Sequence, residues 1–451
     1  MKSLRCTSLL IILTGCAARS DFKFARTSTP KPAAISRSLS DDFWWGVSSS
    51  SYQTEDAGPD EENLGFKTDW DLAYESGFIK YPRANGVGSY SQFGRDLAAM
   101  KGLGVTHYRF SVEWARVEPT PGRFNEAAIG HYVQMCKAFR EAGITPIVAL
   151  WHFTFPAWLS AKTPEDHGWL HRDFQSHWEP YVARMVESLA PYVDLWAPEN
   201  EPNTYALGAL VGALPPGGGR ASYSRYLKTL NIEADAFHRA AALIRKKQPS
   251  ARIVAIENII HWKPDAFDFG RFWYTKGVEY NYYHLDKIVD ACDLIGINYY
   301  FSEVASPLAR LAQSLRSGPK VSDLGWIIDP AGLEAEIVAV SNRYGKPMLI
   351  TENGIADQTD QKRQSYIADH LHAIERTRCA GYDVRGYFHW TLVDNFEWAE
   401  GYTAKFGLFS LDPNTRELVP KPSCETYRSF IGSKSIATPS TQRTNVARSG
   451  D

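Results

Sequence analysis

Residues 346–354 read Lys-Pro-Met-Leu-Ile-Thr-Glu-Asn-Gly, a short apolar run that follows a proline and ends in polar turn residues. Such a run is typical of a buried strand in a parallel sheet. Glu352 comes at its end, where burial of an unpaired charge is costly. The residues alone leave two readings open, a structural carboxylate that faces solvent or pairs with an arginine, and a functional one.

The same arrangement recurs along the chain: an amphipathic helix, often a glycine that ends it, then an apolar strand. Helices are predicted at 92–103, 127–142, 179–189, 233–247, 333–344 and 363–380, and strands at 43–47, 106–111, 145–151, 193–198, 252–258, 294–299, 348–350 and 384–390. Alternating units of this kind predict a parallel sheet with helical crossovers. Eight of them predict an α/β fold of the (β/α)8 TIM-barrel type, formed by one catalytic domain over residues 41–432.

Some βα loops of that barrel must be enlarged, because the region exceeds the roughly 250 residues typical of the fold. Residues 55–90 form the most evident of these loops. A doubly wound open sheet is the alternative fold, and the lack of a glycine-rich first turn disfavours it.

Composition narrows the function classes. The net charge of −2 offers no basic field for nucleic acid. Aromatic residues make up 13% of the chain, which suits a sugar-binding cleft and also an ordinary large core. The His and Cys residues lack metal-ligand spacing, so neither a metal nor a cofactor is predicted.

The N-terminus has the pattern of a targeting segment: Lys2 and Arg5, an apolar stretch, and then Leu13-Thr14-Gly15-Cys16. This tetrapeptide resembles the lipobox of bacterial lipoproteins, which implies a signal peptide over 1–15, a lipidated Cys16 and a flexible tether over 16–40. A lipid anchor would be the protein's contact with the membrane. Ala17 favours the outer membrane of the bacterial envelope, and an ordinary signal peptide with a chance cysteine is the alternative. Residues 433–451 are predicted to be disordered.

Polar and aromatic residues occur at or just after the ends of many predicted strands. In a barrel, those ends meet at one mouth, where the chemistry of this fold takes place. The residues concerned are Gln53, Arg109, His152, Asn200, Glu201, Asn298, Tyr300, Glu352, Trp390, Glu397 and Trp398.

These residues lie in segments that resemble glycoside hydrolase family 1, the β-glucosidase and β-galactosidase family. The matching segments run in the family's order, from about residue 43 to residue 431. They include Tyr-Arg-Phe-Ser-Val-Glu-Trp at 108–114, Asn-Glu-Pro at 200–202, Gly-Ile-Asn-Tyr-Tyr at 296–300, Ile-Thr-Glu-Asn-Gly at 350–354 and Asp-Asn-Phe-Glu-Trp at 394–398.

The resemblance implies a role for each residue. Glu352 matches the nucleophile, with Arg109 and Tyr300 beside it, and Glu201 matches the acid/base. Asn200 matches the residue that binds the sugar 2-hydroxyl. The matches to the remaining substrate-binding positions are Gln53, His152, Asn298, Trp390, Glu397 and Trp398.

The chain departs from the family pattern at a few positions. Phe153 follows His152 at a position where the family usually has a tryptophan. Residues 88–90 differ from the sequence that is common in the family's first loop. Strand alternation turns Glu199 away from Glu201. Glu397, with Ala404 and Phe406 nearby, disfavours a phosphosugar substrate.

The expected function is that of a retaining exo-β-glycosidase that removes a terminal glucose-, galactose- or fucose-type sugar. Two alternatives stay open, an envelope transglycosylase that passes the sugar to a lipid or sugar acceptor, and a non-catalytic sugar-binding lipoprotein. The glycone, the aglycone and the oligomeric state are not predictable from these residues.

Overall fold

The computed structural model describes residues 42–433, apart from 58–64, 161–162, 164–165, 216–221, 267, 269–270, 307–311 and 314. The predicted signal peptide, Cys16 and the tether lie outside the described residues. So does the predicted C-terminal tail, except for its first residue, Ser433. None of the helices in the described part is both long and apolar enough to span a bilayer.

Eight parallel strands close into a barrel in the order β1-β8-β7-β6-β5-β4-β3-β2, which confirms the predicted fold. The strands are β1 (Trp44–Ser48), β2 (His107–Ser111), β3 (Thr145–Ala149), β4 (Leu195–Ala197), β5 (Arg252–Asn258), β6 (Leu294–Asn298), β7 (Met348–Asn353) and β8 (Val384–Trp390). Gly46 of β1 pairs with both His107 and Phe388, which closes the ring between the first and last strands.

Helices surround the barrel. They are α1 (Ser51–Thr54), α2 (Asp69–Glu75), α3 (Phe93–Leu103), α4 (Trp114–Val117), α5 (Glu126–Glu141), α6 (Phe174–Leu189), α7 (Pro202–Leu210), α8 (Tyr223–Lys247), α9 (Phe272–Tyr282), α10 (Leu285–Ile288), α11 (Pro330–Tyr344), α12 (Arg363–Cys379) and α13 (Pro422–Gly432). Single 3-10 turns occur at Ala157–Leu159, Gly168–Leu170, Val289–Ala291 and Trp398–Glu400.

The helix α6 begins five residues earlier than its sequence pattern predicts. α6 starts at Phe174 and carries Pro180 inside it, although a proline in a helix favours the first turn. Phe174 and Trp178 pack into an aromatic cluster with Trp114 and Trp169. Burial of these rings stabilises the additional turn, a tertiary contribution that local propensity does not include.

Two apolar layers hold the barrel. The interior is filled by small and branched side chains that include Ile147, Leu195, Val254 and Leu349, together with Phe388. A larger layer lies between the strands and the surrounding helices. The helices α3 and α11 end at glycines in the left-handed region, Gly104 with φ of 82° and Gly345 with φ of 64°. The strand that follows each glycine can therefore turn back into the barrel.

The enlarged loops lie on the side where the strands end. In the described part of residues 55–90, α2 begins with a capping box between Thr68 and Asp71. Asp69 is buried and accepts hydrogen bonds from the backbone of Phe155 and from His167, which ties this loop to the loop after β3. Short strands His261–Pro264 and Ser302–Ala305 pair after β5 and β6.

Candidate active site

Glu201 follows β4, at the point where the chain leaves the barrel to start α7. Its backbone N–H donates to the carbonyl of Ile256 on β5 at 3.0 Å. Its backbone is left-handed, with φ of 46° and ψ of 54°, and Pro202 then opens the helix. A left-handed conformation costs a non-glycine residue about 1 kcal/mol or more, and such strain is concentrated at functional sites. The turn therefore directs a carboxyl group into the barrel mouth.

Glu352 lies on β7 and is 3% exposed, while Glu201 is 5% exposed. The amide of Asn298, at the end of β6, donates to Glu201 at 2.7 Å and to the amide oxygen of Asn200 at 3.2 Å. Thr351 donates to the other side of that amide at 2.7 Å, which fixes its orientation. Asn298 also pairs with Glu352 along the β6–β7 ladder, and Arg109 donates to both Asn200 and Glu352, so one hydrogen-bonded network at the barrel mouth joins the two carboxyl groups.

Hydrogen-bond donors beside Glu352 favour its ionised form and oppose the effect of burial. Its two oxygens accept hydrogen bonds from Arg109 and Tyr300 respectively. Arg109 is fully buried and pairs with Glu352 as a salt bridge. Burial raises the pKa of Glu352 above its ordinary value, and Arg109, Tyr300 and Asn298 oppose that rise.

The surroundings of Glu201 favour its protonated form at neutral pH. Burial and then the nearby Glu352 carboxyl raise the pKa of Glu201 to about 7. Its hydrogen-bond partners are neutral amides and a hydroxyl, in contrast to the guanidinium beside Glu352. Two neighbouring carboxyl groups therefore have environments that separate their protonation states, as acid/base chemistry requires.

Asn200 and His152 continue this network. Arg109 donates to the amide oxygen of Asn200, and the amide nitrogen of Asn200 lies 3.2 Å from Nε2 of His152. Burial and the charge of Arg109 lower the pKa of His152 well below its usual range. The imidazole is therefore neutral, and its Nδ1 is buried without a hydrogen-bond partner.

Gln53 and Glu397 lie together at one end of the cleft. The amide of Gln53 donates to Glu397 at 3.3 Å and to the carbonyl of Phe396 at 2.8 Å, and Ser50 donates to its oxygen at 2.7 Å. Burial, and then the charges of Glu352 and Glu201, raise the pKa of Glu397 to about 8. A neutral carboxyl group beside an amide can both donate and accept hydrogen bonds.

Aromatic rings line the rest of the cleft. The imidazole of His152 lies between Trp390 and Trp398, with ring centroids 6.0 Å from each and interplanar angles of 15°. Phe153 packs against Trp398 at 5.3 Å and has φ of 67°. Ala404 and Phe406 pack beside Trp390, so this wall is apolar.

The predicted site residues thus come together in one buried network of carboxyl, amide, guanidinium and aromatic groups. Cys16 lies outside the described residues. Within the described ranges, no group of three or more His, Cys, Asp or Glu side chains could hold a metal ion.

Comparison with known proteins agrees with this architecture. The family model for glycosyl hydrolase family 1 matches residues 35–266 and 278–436. This chain belongs to glycoside hydrolase family 1. It is accordingly a glycoside hydrolase, and its relatives place it among the β-glycosidases.

Two curated relatives and one solved structure illustrate the match. A bifunctional β-D-glucosidase/β-D-fucosidase of Bifidobacterium breve is 30% identical, over 87% of this chain and 98% of the relative. A β-galactosidase of Pyrococcus woesei is 27% identical, over 87% and 97% respectively. The structure of a β-glycosidase from Pyrococcus horikoshii superposes with a TM-score of 0.77, at 29% identity, over 89% of this chain and 97% of that one.

This family 1 hydrolase has a further polar residue in the site that sequence analysis missed. Asn258 ends β5, and its amide donates to Glu201 at 3.4 Å, while its oxygen accepts from Tyr280 at 3.2 Å. A polar side chain at the end of a barrel strand was the available signal, the same one that marks Asn298 at the end of β6.

Glu199 faces away from the cleft of the family 1 hydrolase, as strand alternation predicts. Its carboxyl lies 3.7 Å from Nε2 of His284, outside the barrel interior. The carboxyl group whose charge raises the pKa of Glu201 is that of Glu352.

Proposed function

We propose that this glycoside hydrolase is a retaining exo-β-glycosidase with Glu352 as nucleophile and Glu201 as acid/base. The observation that carries the proposal is the network of Asn298, Asn200 and Arg109, which joins two buried carboxyl groups and places a guanidinium beside only one of them, Glu352. In retaining glycosidases the two carboxyl groups lie about 5–5.5 Å apart, on either side of the anomeric carbon.

In the first step, an ionised Glu352 oxygen bonds to the anomeric carbon as the glycosidic C–O bond breaks. Glu201 gives its proton to the leaving oxygen, so the departing aglycone leaves as an alcohol. In the second step, Glu201 takes a proton from water, the water oxygen bonds to the anomeric carbon, and the bond to Glu352 breaks. Two inversions at carbon leave the β configuration unchanged.

The network around the pair supports this assignment. Arg109 and Tyr300 stabilise the negative charge that Glu352 carries before attack and regains after hydrolysis. Asn200, oriented by Arg109 and His152, provides the polar group for the sugar 2-hydroxyl. A hydrogen bond there strengthens as the transition state forms.

Buried polar side chains near the two carboxyl groups support an exo mode of action on a neutral sugar. Gln53 and Glu397 are positioned to bind hydroxyl groups of the terminal sugar, and Trp390 offers a ring face beneath it. A terminal sugar of glucose, galactose or fucose type suits these donors and acceptors. The apolar wall of Ala404 and Phe406 gives no counter-charge to a phosphate.

A covalent trap tests the mechanism. The purified enzyme is assayed on a panel of aryl β-glycosides, then inactivated with a 2-deoxy-2-fluoroglycosyl fluoride of the preferred glycone. Peptide mass spectrometry is expected to find the sugar on Glu352. Glu352→Gln and Glu201→Gln should each lose at least about 10²-fold in activity on a phenyl glycoside. Glu233→Gln, another buried carboxyl outside the cleft, is the matched control. A label on another residue would refute the assignment.

We also propose that the chain is a lipoprotein of the bacterial envelope, anchored through Cys16. β1 enters the barrel at Trp44, at the end opposite the strand termini that carry Glu201 and Glu352. An anchored chain would therefore hold its cleft on the side away from the attachment point. Membrane fractionation of cells that express wild type or Cys16→Ser, together with metabolic labelling by a palmitate analogue, tests the anchor. Equal labelling of both proteins would exclude it.

A further inference from the structure

A second group of buried ionisable side chains lies behind the acid/base, on the outer side of β4 and β5. Its members are Glu199, which follows β4, Glu233 on α8, Glu257 on β5, and His284 between α9 and α10. Each is at most 1% exposed. Buried groups of this kind are costly unless they are paired or neutral, so their retention calls for a physical reason.

His284 contacts two of these glutamates, one from each strand. Its Nδ1 lies 2.6 Å from Glu257 Oε1, and its Nε2 lies 3.7 Å from Glu199 Oε2. We refer to these three residues as the imidazole bridge. The contact with Glu199 is longer than a hydrogen bond, and neither Glu199 nor Glu233 has a hydrogen-bond partner for its carboxyl oxygens. Glu233 lies near enough to Glu199 and Glu257 for their charges to raise its pKa.

The imidazole bridge joins the residues that immediately precede two parts of the catalytic site. Glu257 is followed by Asn258, which donates to Glu201, and Glu199 is followed by Asn200 and Glu201 itself. Here the regular pairing of β4 with β5 has ended at Trp196 and Ile253, and an isolated bridge between Asn200 and Ile256 continues it. His284 therefore bonds one strand end and packs against the other, at a point where few backbone bonds hold the two ends together.

The chain also needs support here because Glu201 has a left-handed backbone. Such a conformation persists only where the surrounding structure holds it in place. The side-chain amide of Asn203, in the first turn of α7, donates to the carbonyl of Asn258 at 2.8 Å and accepts from its backbone N–H at 3.3 Å, directly after Glu257. The imidazole bridge is therefore tied to both ends of the turn that carries the acid/base.

The pKa shifts of the buried side chains around His284 are compatible with this role. Burial raises the pKa of Glu199 and of Glu233 well above the ordinary range, which favours the neutral form of both. The other titratable groups near these side chains are tyrosines with raised pKa, Tyr205 on α7, Tyr226 on α8 and Tyr280 on α9. Only Glu257 and His284 remain to form a charged or strongly hydrogen-bonded pair.

We propose that the imidazole bridge of Glu199, His284 and Glu257 is a positioning device that holds Glu201 and Asn258 in register for proton transfer. The proposal rests on the proposed function of Glu201 as acid/base. It makes His284 a positioning residue, because it contacts the supports of the acid/base rather than the substrate.

The dependence of kcat/KM on the leaving group distinguishes a loss of proton donation from a general loss of activity. A phenyl β-glycoside needs protonation of its leaving oxygen, whereas a 2,4-dinitrophenyl β-glycoside of the same sugar does not. His284→Phe fills the space with a planar ring but cannot bridge. We expect kcat/KM on the phenyl glycoside to fall at least about tenfold, and on the dinitrophenyl glycoside to fall less than about threefold. His284→Asn, which retains a group able to bond Glu257, should recover part of the loss.

Glu257→Gln is the second variant and Glu233→Gln the matched control, from the same buried group but outside the imidazole bridge. Circular dichroism and thermal melts establish that each variant is folded. Glu257→Gln should share the selective loss, and Glu233→Gln should retain wild-type values on both substrates. Equal losses on the two substrates, or no loss, would overturn the positioning role. A wild-type covalent label on a residue other than Glu352 would instead overturn the proposed function.

Discussion

Asn298 donates a 2.7 Å hydrogen bond to Glu201 and pairs with Glu352 along the β6–β7 ladder, so one residue connects the positions of the two carboxyl groups. Thr351, next to Glu352 in sequence, holds the oxygen of the Asn298 amide at 2.7 Å. The ends of β6 and β7 are therefore coupled through side chains as well as through the sheet. When Glu201 gains or loses its proton, the hydrogen bond that it accepts from Asn298 changes in strength.

The pH dependence of activity should follow from these two groups. Glu201 must be protonated for the first step, and its pKa is raised to about 7. We expect kcat/KM on a phenyl glycoside to fall as pH rises through about 7. On the acid side it should fall as Glu352 gains a proton, at a pH above the ordinary Glu value of about 4.3, because burial raises its pKa. A profile that stays flat to pH 9 would contradict the assignment of Glu201.

Arg109→Met removes the buried cation that pairs with Glu352. Loss of the charge raises the pKa of Glu352 further, so the acid limb of kcat/KM should move to higher pH and the active range should narrow. Breaking a buried pair costs about 3–5 kcal/mol. Because the orphaned Glu352 can protonate, we expect the loss of stability to be smallest at low pH and to grow as pH rises. Denaturant unfolding at several pH values measures this.

The control for Arg109→Met is Arg239→Met. Arg239 is half exposed, pairs with Asp235 and Glu179, and lies on α8 away from the cleft. Exposed pairs contribute about 0–1 kcal/mol, so neither stability nor the pH profile should change much. If both variants lost the same stability, the buried pair with Glu352 would have no special role.

The barrel itself could be predicted because each unit carries a local signal. Helical periodicity, a glycine such as Gly104, and an apolar run that ends in a polar residue are all short-range features. The family resemblance then assigned a role to each polar or aromatic residue at the strand ends. Helix starts were less predictable: α8 begins at Tyr223, ten residues before the predicted start, because its first turns are stabilised by packing on other elements.

The imidazole bridge and Asn258 could not be predicted in the same way. His284 meets Glu199 and Glu257 only in the fold, and nothing in its local sequence distinguishes it from a solvent-exposed histidine. Asn258 differs from His284 in that its position at the end of β5 could have marked it as a site residue. The left-handed backbone of Glu201 depends on tertiary contacts, and its local sequence gives only the following proline.

Asn258→Ala tests the contribution of this strand end to the acid/base. The Asn258 amide donates to Glu201 at 3.4 Å and stabilises its charged form, which lowers the pKa of Glu201. Without it that pKa rises, so the alkaline limb of kcat/KM should move upward by at most about one pH unit, the equivalent of one net hydrogen bond. Asn414→Ala, in an exposed turn, is the control. A shift of the limb to lower pH would contradict the hydrogen-bond assignment.

Glu233→Gln should stabilise the protein, and increasingly so as pH rises. Glu233 is fully buried, and its pKa in the folded state is raised well above the ordinary value by burial and by Glu199 and Glu257. In the unfolded chain the same group ionises near its reference pKa of about 4.3. Between those two pKa values the unfolded state binds fewer protons, so Glu233 lowers the free energy of unfolding by about 1.4 kcal/mol per pH unit. Glutamine keeps the shape and removes the titration. The difference in melting temperature between variant and wild type should therefore be larger at pH 8 than at pH 5, and a difference independent of pH would show that Glu233 is already ionised in the folded protein.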